Sequence, residues 1–160
     1  MKAKRLQVRS RVLPAVALLA LLTTAGTSRK AAELNNQANG LYEQKKFEEA
    51  GTLYDDAATR APDAAEIAYN RGNALFRQGK LAEAAESLRR ATQSGDPAIR
   101  QKSLYNLGNA LYGSQKLPEA AAAYRQALVL DPRDRDAKIN FEKVMLELQQ
   151  QQQQQQGQQN

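Results

Sequence analysis

The stretch YNRGNALFRQGK, residues 69–80, returns thirty-six residues later as YNLGNALYGSQK, residues 105–116. A match of this length in a chain of 160 residues marks an internal repeat, and the alignment grows outward from it. With Ala50, Ala84 and Ala120 in one column, Phe47, Leu81 and Leu117 fall three residues earlier, and Leu41, Leu75 and Leu111 form a further column. Tyr54, Leu88 and Tyr124 align four residues later, and Ala57, Ala91 and Ala127 seven later. The first spacing is 34 residues and the second 36. The two extra residues belong near SGDPAIR, residues 94–100, where Gly95 and Pro97 mark a turn that absorbs an insertion. Periods of this size are the signature of stacked helical units.

Each unit reads as two helices. In the third, Leu104, Leu107, Gly108 and Leu111 recur at helical spacing. GSQK interrupts the pattern, and Leu117, Ala120, Ala121, Tyr124, Ala127 and Leu128 resume it. Pro118 is tolerated in a first helical turn, where its missing N–H has no partner to lose. Pro132 ends the unit. Gly72 and Gly108 lie on first helices, matched by Ala38 in the first unit, and Ala84 and Ala120 lie on second helices. Small side chains at these places let two antiparallel helices approach closely, and in a dense interior one added methylene is felt.

These columns carry a resemblance. The chain is similar to tetratricopeptide repeat proteins, with units at 31–64, 65–98 and 101–134. The third unit is nearest the family pattern, through Leu107, Gly108, Leu111, Ala120, Tyr124, Ala127 and Pro132. The first two depart from it: Gln37 and Arg71 stand where an apolar residue is usual, and Asp96 stands where the other units have Pro62 and Pro132. The resemblance implies an all-α fold, a right-handed superhelical solenoid of three helix–turn–helix repeats. RDAKINFEKVMLELQ, residues 135–149, repeats the start of a unit and resembles the C-terminal capping helix of such arrays. The repeat domain is therefore expected over 31–149. The glutamine-rich stretch 150–160 is expected to be a disordered, solvated tail, because no core can be built from it.

Residues 1–26 read differently. MKAKRLQVRSR is basic and free of acids, VLPAVALLALL is apolar, and small residues follow. This is the order of a secretory signal, with a cut expected before Gly26. An uncleaved signal anchor is the alternative, and membrane association is then expected through this segment alone. Either reading places the remainder outside the cytoplasm, periplasmic or anchored in the inner membrane and facing the periplasm.

Of the formal charge of +6, five units belong to that leader. From Thr27 onward 18 basic side chains face 17 acidic ones, so no footprint for a nucleic acid is expected. Cys, His and Trp are absent, which removes disulfides, thiolate chemistry and the commonest metal ligand. No nucleophile–base pair and no glycine-rich phosphate loop occurs, so the expectation is no catalytic residue, no metal and no cofactor.

Stacked repeats present a concave face made mostly by first helices. By resemblance that face carries Asn35, Tyr69 and Tyr105, the asparagines Asn39, Asn73 and Asn109, the rings Tyr42, Phe76 and Tyr112, and Lys102. Carboxamides can hold a peptide backbone and rings can bury its side chains, which implies a protein or peptide partner. On this reading Asn73 and Asn109 fill no helix–helix contact; the alternative is that the asparagines stabilise the superhelix and bind no ligand. The carboxylate clamp of tetratricopeptide co-chaperones would need cations where this chain has Asn35 and Asn106, and retains only Lys102. The order of parts resembles the tetratricopeptide proteins of bacterial aerotolerance (Bat) operons. That resemblance implies an envelope scaffold with a von Willebrand factor A domain partner. A periplasmic assembly or secretion scaffold is the other reading.

Overall fold

The computed structural model describes the backbone of residues 12–157 and the side chains of residues 26–156. Among these residues the chain forms seven helices: α1 (Val12–Glu43), α2 (Phe47–Arg60), α3 (Ala65–Arg77), α4 (Leu81–Ala91), α5 (Pro97–Gly113), α6 (Leu117–Leu130) and α7 (Arg135–Gly157). Helices pack in sequence order. The pairs α1–α2, α3–α4 and α5–α6 make the three units, and α2–α3, α4–α5 and α6–α7 join them. First helices also touch one another, α1 to α3 and α3 to α5, so they share one face of a helical solenoid.

The small-residue columns decide how close the paired helices come. Ala50, Ala84 and Ala120 are wholly buried, as are Ala57, Ala91 and Ala127. A Cβ at Gly72 would lie 2.6 Å from Leu88 Cγ, and one at Gly108 would lie 2.5 Å from Tyr124 Cε1. Neither unit can accept a side chain there without moving its second helix. Every first helix then ends in the same turn. The N–H of Lys46, Lys80 and Lys116 donates to the carbonyl of Leu41, Leu75 and Leu111, a bond that closes over a residue with positive φ. That residue is Lys45, Gly79 or Gln115, with φ of 61°, 77° and 60°.

The two-residue insertion acts on both sides of its turn. Helix α4 stops at Ala91, and α5 starts at Pro97, well ahead of the unit boundary expected at 101. Asp96 caps α5 by accepting from Ala98 N at 2.8 Å, with Pro97 in the first turn. The departures at Gln37 and Arg71 are met with polar partners. Arg71 is half-buried and ion-pairs with Asp55 across the α2–α3 joint, whereas Gln37 stays exposed and donates to Glu33.

At the C-terminus α7 buries Ala137 and Val144 against the third unit, as a cap does. It runs beyond 149, through the glutamine run to Gly157. The tail expected to be disordered is therefore helical over most of its length, because Gln propagates a helix well. Its glutamines up to residue 156 are exposed. The expected leader shows no boundary at residue 26, since α1 runs unbroken from Val12 into the first unit. Residues 1–11, which carry the leader's basic side chains, lie outside the described residues. No helix among the described residues is long and apolar enough to cross a membrane.

Candidate partner-binding groove

Two adjoining concavities open on the face made by the first helices. One, of about 230 Å³, is lined by Asn39, Tyr42, Glu43, Tyr54, Glu66, Asn70 and Asn73. The other, of about 330 Å³, is lined by Tyr42, Tyr69, Asn73, Phe76, Asn106 and Asn109. Tyr42 and Asn73 border both, so the two form one groove.

The asparagines of the repeated phrase are tied into a ladder across the units. Asn70 Nδ2 donates to Asn35 Oδ1 at 3.0 Å, Asn106 Nδ2 to Asn73 Oδ1 at 2.8 Å, and Asn140 Nδ2 to Asn109 Oδ1 at 3.1 Å. These bonds join α1 to α3, α3 to α5 and α5 to α7. In two units the ladder also reaches the second helix. Tyr54 OH donates to Asn39 Oδ1 at 2.6 Å, and Tyr124 OH donates to Asn109 Oδ1 at 2.7 Å. Both tyrosines are at most 2 % exposed, so each hydroxyl depends on its asparagine.

The middle unit breaks that pattern. Leu88 occupies the column of Tyr54 and Tyr124 and offers no hydroxyl. Asn73 Oδ1 therefore accepts from Asn106 alone, and its amide N–H groups donate to no described residue. Asn73 borders both concavities; its Oδ1 accepts one hydrogen bond, as that of Asn39 does, whereas that of Asn109 accepts two.

The residues expected in the groove separate on this geometry. Asn39, Tyr42, Tyr69, Asn73, Phe76 and Asn109 line it. Asn35 is buried at the α1–α3 joint, because it accepts from Asn70, and takes no place on the surface. Lys102 is exposed but borders neither concavity. Tyr105 packs on Tyr124, with ring centres 6.0 Å apart, and Tyr112 is held by α7. The Tyr112 hydroxyl donates to Glu147 at 2.7 Å, and Lys143 Nζ sits 4.7 Å from its ring centre. Phe76 is the ring left open, at 36 % exposure. Glu43, Glu66, Tyr54, Asn70 and Asn106 line the groove and were not singled out from the sequence as groove residues. The asparagine–asparagine spacing that unites Asn70 and Asn106 with the ladder was there to be read. The expectation that Asn73 and Asn109 fill no helix–helix contact fails at both, since Asn73 accepts from Asn106 of α5 and Asn109 from α6 and α7. Asn39 and Asn109 each carry a buried tyrosine hydroxyl of the facing helix, and Asn109 bonds to two helices besides its own.

Comparison with known proteins bears on the repeat itself. A tetratricopeptide repeat family model matches residues 35–99, and a second model of the same repeat matches residues 101–134, together more than half of the chain. The chain belongs to the tetratricopeptide repeat family. Solved tetratricopeptide domains superpose on it closely. The first such domain of Spaghetti (RPAP3), bound to the HSP90 peptide SRMEEVD, is 29% identical with a TM-score of 0.71, covering 76% of this chain and 94% of that one. The first tetratricopeptide domain of human RPAP3 is 27% identical with a TM-score of 0.69, covering 77% of this chain and 95% of that one. The second domain of human RPAP3, in complex with the HSP70 peptide SGPTIEEVD, is 21% identical with a TM-score of 0.67, over 76% of this chain and 98% of that one, a likeness of fold alone. Among curated proteins no sequence matches this chain.

The tetratricopeptide ladder has a pH signature. Burial pushes the Tyr54 and Tyr124 hydroxyls well above the ordinary tyrosine range, with neighbouring Tyr42 and Tyr105 adding to it. A raised folded pKa favours the protonated hydroxyl in the folded state. Its contribution is complete below the unfolded value of about 10 and is lost as pH rises beyond it. The melting midpoint should therefore fall as pH rises from about 10 upward. A Tyr54→Phe/Tyr124→Phe variant should begin lower, because two hydrogen bonds are gone, and fall less over the same interval. An equal fall in wild type and variant would remove the tyrosines from the account.

Among the described residues no group of three or more Asp or Glu side chains could hold a metal ion.

Proposed function

We propose that the chain is a non-catalytic protein–protein interaction scaffold that holds an extended partner segment in the groove of its first helices. The observation that carries this is Asn73, which borders both concavities with amide N–H groups that donate to no described residue, in a groove also lined by the exposed ring of Phe76. Those N–H groups suit backbone carbonyls of the segment, and the rings suit its side chains. The peptide complex of the first Spaghetti (RPAP3) domain supports the general mode. The test is Phe76→Ala. This ring makes no hydrogen bond and packs at the surface, so stability should change by no more than about 0.5 kcal/mol. Partner affinity should fall by about 1–2 kcal/mol, the scale of a ring anchor. Undiminished affinity would place the contact elsewhere.

We place the scaffold in the bacterial cell envelope, exported and either periplasmic or anchored in the inner membrane. The support is the basic, apolar and small-residue order of residues 1–26. Sequencing the mature N-terminus should give a start at or near Gly26 after cleavage, or Met1 in the membrane fraction for an anchor. Full-length chain in the cytosol would refute both. A von Willebrand factor A domain protein is the partner that the resemblance to Bat-operon proteins supports. The second reading, an assembly or secretion scaffold, rests on the same leader. Gene neighbours separate the two.

A further inference from the structure

We infer that the partner segment is basic, placing a Lys or Arg side chain in the smaller concavity and an apolar side chain in the larger one. This rests on the groove reading above and specifies its ligand. The smaller concavity is bordered by Glu43 and Glu66, on α1 and α3, and by no cation. Both carboxylates are exposed, and neither is hydrogen-bonded or ion-paired with a described residue. The other acids near cations on this chain behave differently: Glu33, Asp55, Glu86 and Glu142 each have a Lys or Arg partner.

The remaining lining completes a site for a long cationic side chain. Tyr42 offers a ring along which an aliphatic stem can lie, and Tyr rings attract a cation over their face. The carboxylates then accept from the head group as charge-assisted partners. The larger concavity holds no charged side chain at all; it is lined by Tyr42, Tyr69 and Phe76 with three asparagines. Because the concavities share Tyr42 and Asn73, the two side chains must come from nearby residues of one segment, with its backbone passing over the Asn73 amide. An acidic segment would set its carboxylates against Glu43 and Glu66 with no cation in the lining to offset them.

The experiment uses the full chain and a phage-displayed library of random peptides as the probe. Clones that also bind the Phe76→Ala variant are discarded, which leaves those that need the groove. The expected survivors are enriched in Lys and Arg next to an apolar residue. A recovered peptide should bind the Glu43→Gln/Glu66→Gln variant roughly two- to tenfold more weakly, the scale for two exposed charge contacts, and should weaken as salt is raised. Survivors without a basic bias, or acidic ones, would overturn the charge assignment and leave the groove standing. So would a basic peptide indifferent to the glutamates. A selection that yields no Phe76-dependent clone would overturn the groove reading together with this one.

Discussion

Gly108→Leu should destabilise the chain by about 3 kcal/mol, the upper end of the usual cost of overpacking. A Cβ alone would come within 2.5–2.9 Å of three atoms of the Tyr124 ring. That ring is 1 % exposed, and its hydroxyl is fixed to Asn109, so it has no lower-energy place to go. Leu adds three further carbons in the same direction. Either α5 and α6 separate, which uncovers the alanines between them, or Tyr124 leaves the core and its hydrogen bond. Gly113→Leu is the control. Gly113 is the exposed last residue of α5, and a Cβ there meets only the end of the Leu81 side chain, at 3.0 Å. That flexible chain can move aside, so the control should lose far less. Thermal or urea melting of both variants decides between them. A Gly108→Leu midpoint equal to wild type would mean that α5 and α6 do not meet as described.

Asn109→Ala is the second large effect, with an expected loss of about 1–3 kcal/mol. Its Oδ1 accepts from Tyr124 on α6 and from Asn140 on α7. Removing it leaves a buried hydroxyl without an acceptor, and the cost of such a group exceeds the net worth of the bond it made. The change also cuts one of the links between the last unit and its cap. The cap should therefore loosen first, and hydrogen exchange along α7 should accelerate more than along α1 or α2. Protection of α7 unchanged from wild type would contradict the bridging role.

The helices were legible because packing wrote them as periods. The alanine columns and the paired glycines recur at fixed spacing, and burial leaves them no alternative residues. The groove was only half legible. Six of its ring and asparagine positions follow from the repeat, yet sequence spacing does not tell which lone pairs are already taken. Tyr112 looks like its column neighbours Tyr42 and Phe76 in one dimension, and Asn35 like an open carboxamide; only the approach of α7 and α3 engages the one and buries the other. The glutamine run carried no apolar period, so nothing in its pattern predicted a helix; continuity with the capping helix extends it. One signal was present and informative: Leu88 in a column of tyrosines. It separates the middle unit from its neighbours, because a leucine makes no claim on the asparagine opposite.

That difference supplies the most direct test, since the account assigns Asn109 to the scaffold and Asn73 to the partner. Asn73→Ala and Asn109→Ala should be compared for melting midpoint and for affinity toward one peptide recovered through Phe76. The account predicts that Asn73→Ala costs less than about 1 kcal/mol of stability, because its one acceptor bond is part-exposed, and weakens binding by about 1–3 kcal/mol. Asn109→Ala should show the larger fall in midpoint. Equal destabilisation by the two changes, with peptide affinity untouched by Asn73→Ala, would show that the repeated asparagine builds the solenoid in every unit and grips in none.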